Sequence, residues 1–171
     1  MGVEQGETKL ATTRDAKIRR YEDAAPAILA VVAGEPDIVA RMATVAAMLA
    51  AAFEDFSWCG FYRVDPTNGQ ELVIGPYQGP LGCLRIAFGR GVCGAAAARR
   101  ETVIVEDVHA FPDHIACDAS SRSEIVVPVF DASGVLLAVL DVDSRSQATF
   151  DPVDAKHLRA LLDAVFGVSH A

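Results

Sequence analysis

Cys83, Cys93 and Cys117, three of the four cysteines, fall in one stretch of this 171-residue chain together with His109, His114, Asp107 and Glu124. Thiols, imidazoles and carboxylates crowd into turn-forming sequence here, where a structural segment would carry apolar residues at a regular period. Thiolates act as nucleophiles and redox centres, and loops that carry such groups are positioned by a rigid scaffold. The stretch reads as a redox-active thiol site.

Two other chemistries compete for it. The string Gly89-Arg-Gly-Val-Cys-Gly94 matches the dinucleotide fingerprint, with Glu106 and Asp107 following a second strand at nearly the expected distance. That reading requires successive parallel βαβ units, and the surrounding sequence offers hairpins. A glycine-rich entry to a short helix accounts for the string. Metal ligation is disfavoured by spacing: Cys83 and Cys93 stand ten residues apart, and neither a Cys-x-x-Cys pair nor a two-histidine helix face occurs. No metal and no bound cofactor are expected. Cys59, in an alternating strand beside Gly60 and Phe61, reads as a small buried hydrophobe.

The carboxylates supply a geometric clue. With residues 131–134 as the loop of the last hairpin, Phe130 faces Val135, which sets Glu124 opposite Asp141 and diagonal to Asp143, all on one sheet face. Like charges so placed repel, so they require a bound cation, a retained proton or generous hydration. Asp107, closing another strand, is a candidate for the same cluster. Trp58 and Tyr62 share a face of their strand, a core pair in most settings and a wall for a small apolar group beside a cation in this one.

The elements that must position these groups follow from periodicity. Residues 1–16 are polar and aperiodic, a loose leader. Ile18, Tyr21, Ile28, Leu29 and Val32 mark a helix over 17–32, with Pro26 kinking it or marking its start. Pro36 suits the first turn of a second helix, carried by Ile38, Met42, Val45, Leu49 and Phe53. Period-two runs at 57–64 and 71–77 form a hairpin around Asp65-Pro-Thr-Asn-Gly69. A strand at 84–88, a short helix at 91–100 and a strand at 102–106 follow. A second hairpin joins 124–130 to 135–143, with Pro128 calling for an edge or a bulge. A helix starts at Asp151-Pro152, with Leu158, Leu161, Leu162 and Val165 on one face. Tight turns between adjacent strands make the sheet largely antiparallel, an α+β domain over 17–171 with a pocket under 107–123.

Composition narrows the function class. Hydrophobic residues make up 51% and charged residues 22%, an ordinary globular balance. The net charge of −8 argues against nucleic acid and anionic membrane as partners, since phosphate binding needs a basic patch. The N-terminal residues show neither the basic nor the apolar region of a secretory signal, and no apolar run reaches bilayer length. A cytoplasmic protein is expected, its thiols mostly reduced.

Several segments are shared with a known family. Trp58-Cys-Gly-Phe-Tyr62, Gly75-Pro-Tyr-Gln-Gly79, Ile86-Ala-Phe-Gly-Arg-Gly-Val-Cys-Gly94, Val105-Glu-Asp-Val-His-Ala-Phe-Pro-Asp-His-Ile-Ala-Cys-Asp-Ala119 and Ser123-Glu-Ile-Val-Val-Pro128 resemble the free methionine-(R)-sulfoxide reductases, stand-alone GAF-domain enzymes. The resemblance runs from about Tyr21 to Phe166. It implies a GAF fold, a homodimer, and reduction of the free amino acid as opposed to the peptide-bound form. It also implies thioredoxin as external reductant and a part in the response to oxidative stress. Cys83, Cys93 and Cys117 match the family's redox cysteines, with Cys117 attacking, Cys83 resolving and Cys93 an alternative partner. Glu124, Asp141, Asp143 and Asp107 match its pocket acids, and Trp58 and Tyr62 its aromatics. Two departures are Cys59, where small residues are common, and Pro80-Leu-Gly82 before Cys83. A regulatory GAF module that binds a small ligand without chemistry is the competing function; a thiol redox sensor is a third, and explains neither the acids nor the aromatics.

Overall fold

Six strands make one antiparallel sheet in the order β3-β2-β1-β6-β5-β4: β1 is Trp58–Val64, β2 Glu71–Gln78, β3 Arg85–Ala87, β4 Val103–Val105, β5 Ser123–Phe130 and β6 Leu136–Ser144. The computed structural model describes residues 2–112 and 119–167, with side chains from Arg14 onward. Every strand pair is antiparallel, so the parallel unit that the glycine string would need for a dinucleotide is absent among the described residues.

Alternation divides the central strands between two cores. One face of β1, β5 and β6 sends Cys59, Phe61, Ile125, Val127, Leu140 and Val142 toward helices α1 (Gly2–Val32), α2 (Ile38–Ala52) and α4 (Pro152–Phe166). Each large apolar side chain fully withdrawn from water there contributes about 1.5–3 kcal/mol. Cys59 lies in this core, fully buried, as its sequence context predicts. The opposite face carries Trp58, Tyr62, Val126 and Val139 and is covered by helix α3 (Gly91–Arg99). Gly94 explains that close seat: a Cβ there would stand 2.3 Å from the carbonyl oxygen of Ala87. The glycine string thus serves helix–strand packing.

Local chemistry fixes the helix ends. The Asp37 side chain accepts from the Ala40 amide and caps α2; Pro36 therefore precedes the cap and does not enter the first turn. Asp151 caps α4 in a reciprocal capping box with Asp154, with Pro152 at the first helical position. Asp154 is also the partner of the Tyr21 hydroxyl (2.8 Å) and of Lys17 Nζ (2.6 Å), which ties α1 to α4.

Three expectations change. The stretch 1–16 continues α1 back to Gly2, and Pro26 sits inside the helix. The strand holding Pro128 is interior, yet β4 pairs only with residues 124–126, so the outer side of β5 is open at Pro128, and a register shift falls between Val129 and Phe130. That shift also moves the hairpin register: Glu124 pairs with Asp143 and lies diagonal to Asp141. The closing pair is Phe130 with Leu136, and the irregularity absorbs one further residue. Two single-residue slips restore parity, so the three acids keep their common face.

Candidate active site

The register brings the predicted acids and aromatics together. Across β1 and β6, Trp58 pairs with Asp143 and Gly60 with Asp141; across β5 and β6, Glu124 pairs with Asp143 and Val126 with Asp141. Alternation aims the side chains of 58, 62, 124, 141 and 143 at the face beneath α3. They wall a pocket, open to solvent at its mouth, to which α3 contributes Cys93 and the 81–82 turn contributes Leu81 and Gly82. Cys93 Sγ stands 4.0 Å from Glu124 Oε1. Cys93, Glu124 and Asp141 are all buried, and Asp141 Oδ1 has no hydrogen-bond partner among the described residues.

The aromatic wall is a stack of three rings. Trp58 stacks on Tyr62, 5.7 Å away at 17°, and on Tyr77, 5.1 Å away at 13°. The indole N–H donates to the Pro80 carbonyl at 3.0 Å, and the Cys83 backbone hydrogen-bonds the Tyr62 hydroxyl. These contacts fix both rings in the pocket wall.

Burial raises the carboxyl pKa values of Glu124 and Asp141. Glu124 is pushed well up, first by desolvation and then by Asp141 and Asp143. Asp141 is pushed up to about 6 by desolvation, against hydrogen bonds to Cys93 and Glu124 that favour its charge. The Cys93 thiol is held well above its ordinary range by burial and by the same acids. Burial and the neighbouring acids thus favour the proton on Glu124 and on the Cys93 thiol.

Not every predicted residue joins the pocket wall. The Asp107 side chain is committed elsewhere: one oxygen accepts from the His109 amide and the other from Gln147 Nε2 at 2.8 Å. It caps the short 3-10 turn Val108–Ala110 at the stem of the 107–123 segment. Cys83 is disulfide-bonded and follows Leu81 and Gly82 at the pocket rim. Cys117 lies outside the described residues, as does His114. Sequence reasoning missed Tyr77, which backs Trp58. Regular hairpin pairing would set Pro76 opposite Gly60; the irregularity between Gly60 and Tyr62 puts Tyr77 there instead. The sequence signal available was Gly60 itself, since a Cβ at this position would meet Tyr77 Cβ at 2.2 Å.

An antiparallel sheet with helices on both sides and a ligand-sized pocket between the sheet and α3 defines a GAF domain, and the GAF domain family model matches residues 33–165. The chain is 42% identical over 146 residues to the free methionine-R-sulfoxide reductase of Escherichia coli, covering 85% of this chain and 86% of the relative. It is 45% identical to GAF domain-containing protein A of Dictyostelium discoideum, over 90% of this chain and 94% of the relative. The crystal structure of free methionine-R-sulfoxide reductase from Neisseria meningitidis in complex with its substrate superposes with a TM-score of 0.83 at 52% identity, covering 87% of each chain. The chain therefore belongs to the GAF-domain family of free methionine-R-sulfoxide reductases.

Proposed function

We propose that the protein reduces free L-methionine-(R)-sulfoxide to methionine through thiol chemistry. The observation that carries this reading is the union, in one pocket, of the buried acids Glu124 and Asp141 with an aromatic wall. Free methionine sulfoxide offers the complement: an ammonium for Asp141 and Asp143, a methyl group for Trp58 and Tyr62, and an S–O group that must take up a proton. The relative from Neisseria was crystallised with its substrate, which supports a small molecule as the ligand.

In the first step the Glu124 carboxyl gives its proton to the sulfoxide oxygen, and the Cys117 thiolate attacks sulfur. Oxygen passes to Cys117 as a sulfenic acid and methionine leaves, so the substrate sulfur is reduced by two electrons and the cysteine sulfur oxidised by two. The Cys83 thiol then displaces water to close a disulfide, and an external dithiol of the thioredoxin type reduces it by exchange. Cys93, a buried thiol held protonated among carboxylates, is poorly suited to replace Cys83 as the resolving thiol. A resident metal or bound cofactor has no role in these steps. The reading carries with it a homodimer in a reducing cytoplasm, with repair of oxidised methionine under oxidative stress as its use; sedimentation of the purified protein tests the dimer.

The experiment uses reduced protein and free methionine-(R)-sulfoxide with no added reductant. About one methionine per chain and two thiols lost are expected, with none released by Cys117→Ser. Full release by Cys117→Ser overturns the assignment of that cysteine. No release by folded wild-type protein overturns the reductase and leaves a GAF module that binds without chemistry.

A further inference from the structure

The acid pocket meets a requirement set by its own charge. Three carboxyl groups on one sheet face need hydration, a retained proton or a cation, and burial of Glu124 and Asp141 removes the first. A substrate ammonium is one cation that fits. The pocket also presents a donor set for another. One ligand atom from each of Cys93, Glu124 and Asp141 lies within 4.8 Å of the others, and all three residues are buried. Asp141 Oδ1, in a residue only 6% exposed, has no hydrogen-bond partner among the described residues.

We propose that Cys93, Glu124 and Asp141 form a site for one zinc ion, which occupies the pocket in place of substrate. One thiolate and two carboxylates suit a borderline-soft divalent ion; the sulfur selects against magnesium and calcium, which take oxygen alone. Metal–sulfur bonds of about 2.3 Å and metal–oxygen bonds of about 2.0–2.2 Å hold neighbouring donors somewhat under 4 Å apart. The 4.0 Å from Cys93 Sγ to Glu124 Oε1 therefore needs only a small closure. Three protein ligands leave a fourth position for water, and the mouth of the pocket gives access to it. Cysteine and histidine spacing does not reveal this set, which joins an α3 thiol to acids of β5 and β6. Binding is written Zn²⁺ + Cys–SH + Glu–COOH + Asp–COO⁻ giving the zinc complex and two protons, with no change of oxidation state.

The metal site stands on the geometry alone; its competition with substrate rests on the function proposed above. The test uses the disulfide form, in which Cys59 and Cys93 are the free thiols among the described residues. Cys59 is on the far face and serves as control. Calorimetric titration with zinc chloride is expected to show one ion per chain, with a heat that varies with the buffer's protonation enthalpy. Cys93→Ser should weaken binding at least tenfold by the loss of one ligand, and Cys59→Ala should leave it unchanged. Cobalt titration should give a sulfur-to-cobalt charge-transfer band in wild-type protein that Cys93→Ser lacks. Absence of that band in wild-type protein, or equal zinc affinity in wild-type and Cys93→Ser, overturns the site. Methionine sulfoxide binding equally to zinc-loaded and zinc-free protein overturns the competition. Zinc binding in a protein that binds no methionine sulfoxide overturns the substrate reading and leaves the metal site standing.

Discussion

Glu124 of β5 reaches across the pocket to Cys93 of α3, with Oε1 4.0 Å from Sγ, both groups fully withdrawn from water. Burial and the acid Asp141 push both pKa values up, and Glu124 raises that of Cys93 further. The pair joins the helical layer to the sheet at the point where the chemistry is proposed to occur.

The thiols should separate by accessibility. Cys59 and Cys93 are buried and their pKa values are raised, Cys59 by the apolar core and Cys93 by burial and the acid cluster. In the disulfide form, iodoacetamide is expected to label neither at neutral pH until denaturant is added, and then both together. Mass spectrometry across a denaturant series checks this. Labelling of Cys93 in folded protein would show a pocket thiol already ionised.

The acid cluster predicts a pH dependence of stability. Asp141 titrates near pH 6 in the folded protein, above its ordinary 3.8. A carboxyl whose folded pKa is raised contributes fully below its unfolded pKa, and that contribution is lost as pH rises through the folded value. Stability should thus fall between about pH 4 and pH 6 on account of this group. Asp141→Asn removes the charge and should flatten that fall, raising neutral-pH stability by roughly 1–3 kcal/mol. Thermal melts of both proteins across the window decide it; identical pH profiles would refute the raised carboxyl.

The aromatic stack gives a steric prediction. Gly60→Ala sets a methyl 2.2 Å from Tyr77 Cβ, and backbone or ring must move. The substitution should destabilise by roughly 1–3 kcal/mol, and by unseating Tyr77 it should loosen Trp58 and raise KM. Trp58 is the single tryptophan, so its emission reports the ring directly. Unchanged emission and KM would show that Tyr77 does not hold the wall.

Where sequence and structure agree, the cause is local. Asp151-Pro152 and the apolar positions of α2 and α4 declare themselves by capping chemistry and period, and the common face of Glu124, Asp141 and Asp143 survives because parity survives a two-residue shift. What escaped was tertiary or irregular. The pairing of Glu124 with Asp143 depends on an irregularity beside Phe130, and Tyr77 reaches Trp58 through another beside Gly60. Asp107 matches the acids in type, yet its carboxylate is taken by the amide of nearby His109 and by Gln147, which is far away in the chain. The closeness of Cys93 to the acids arises from a helix laid across the sheet, which no strand pattern encodes.

Glu124 and Asp143 face one another across β5 and β6, but the proposed reaction asks different things of them. Glu124 is buried and its pKa is pushed up by desolvation and by Asp141 and Asp143, which suits it to donate to the sulfoxide oxygen as charge develops there. Asp143 is half-buried, beside the open side of the pocket, and is assigned to the ammonium in substrate and transition state alike. Removing a proton donor lowers kcat, whereas removing uniform binding raises KM. Glu124→Gln is therefore expected to lower kcat about 100-fold with KM little changed. Asp143→Asn should raise KM roughly tenfold with kcat nearly kept. Steady-state kinetics of the two variants, with thioredoxin in excess, separates the roles. Equal losses in kcat from both would mean that the acids act as one coupled unit, and an unaffected Glu124→Gln would return the proton donation to solvent.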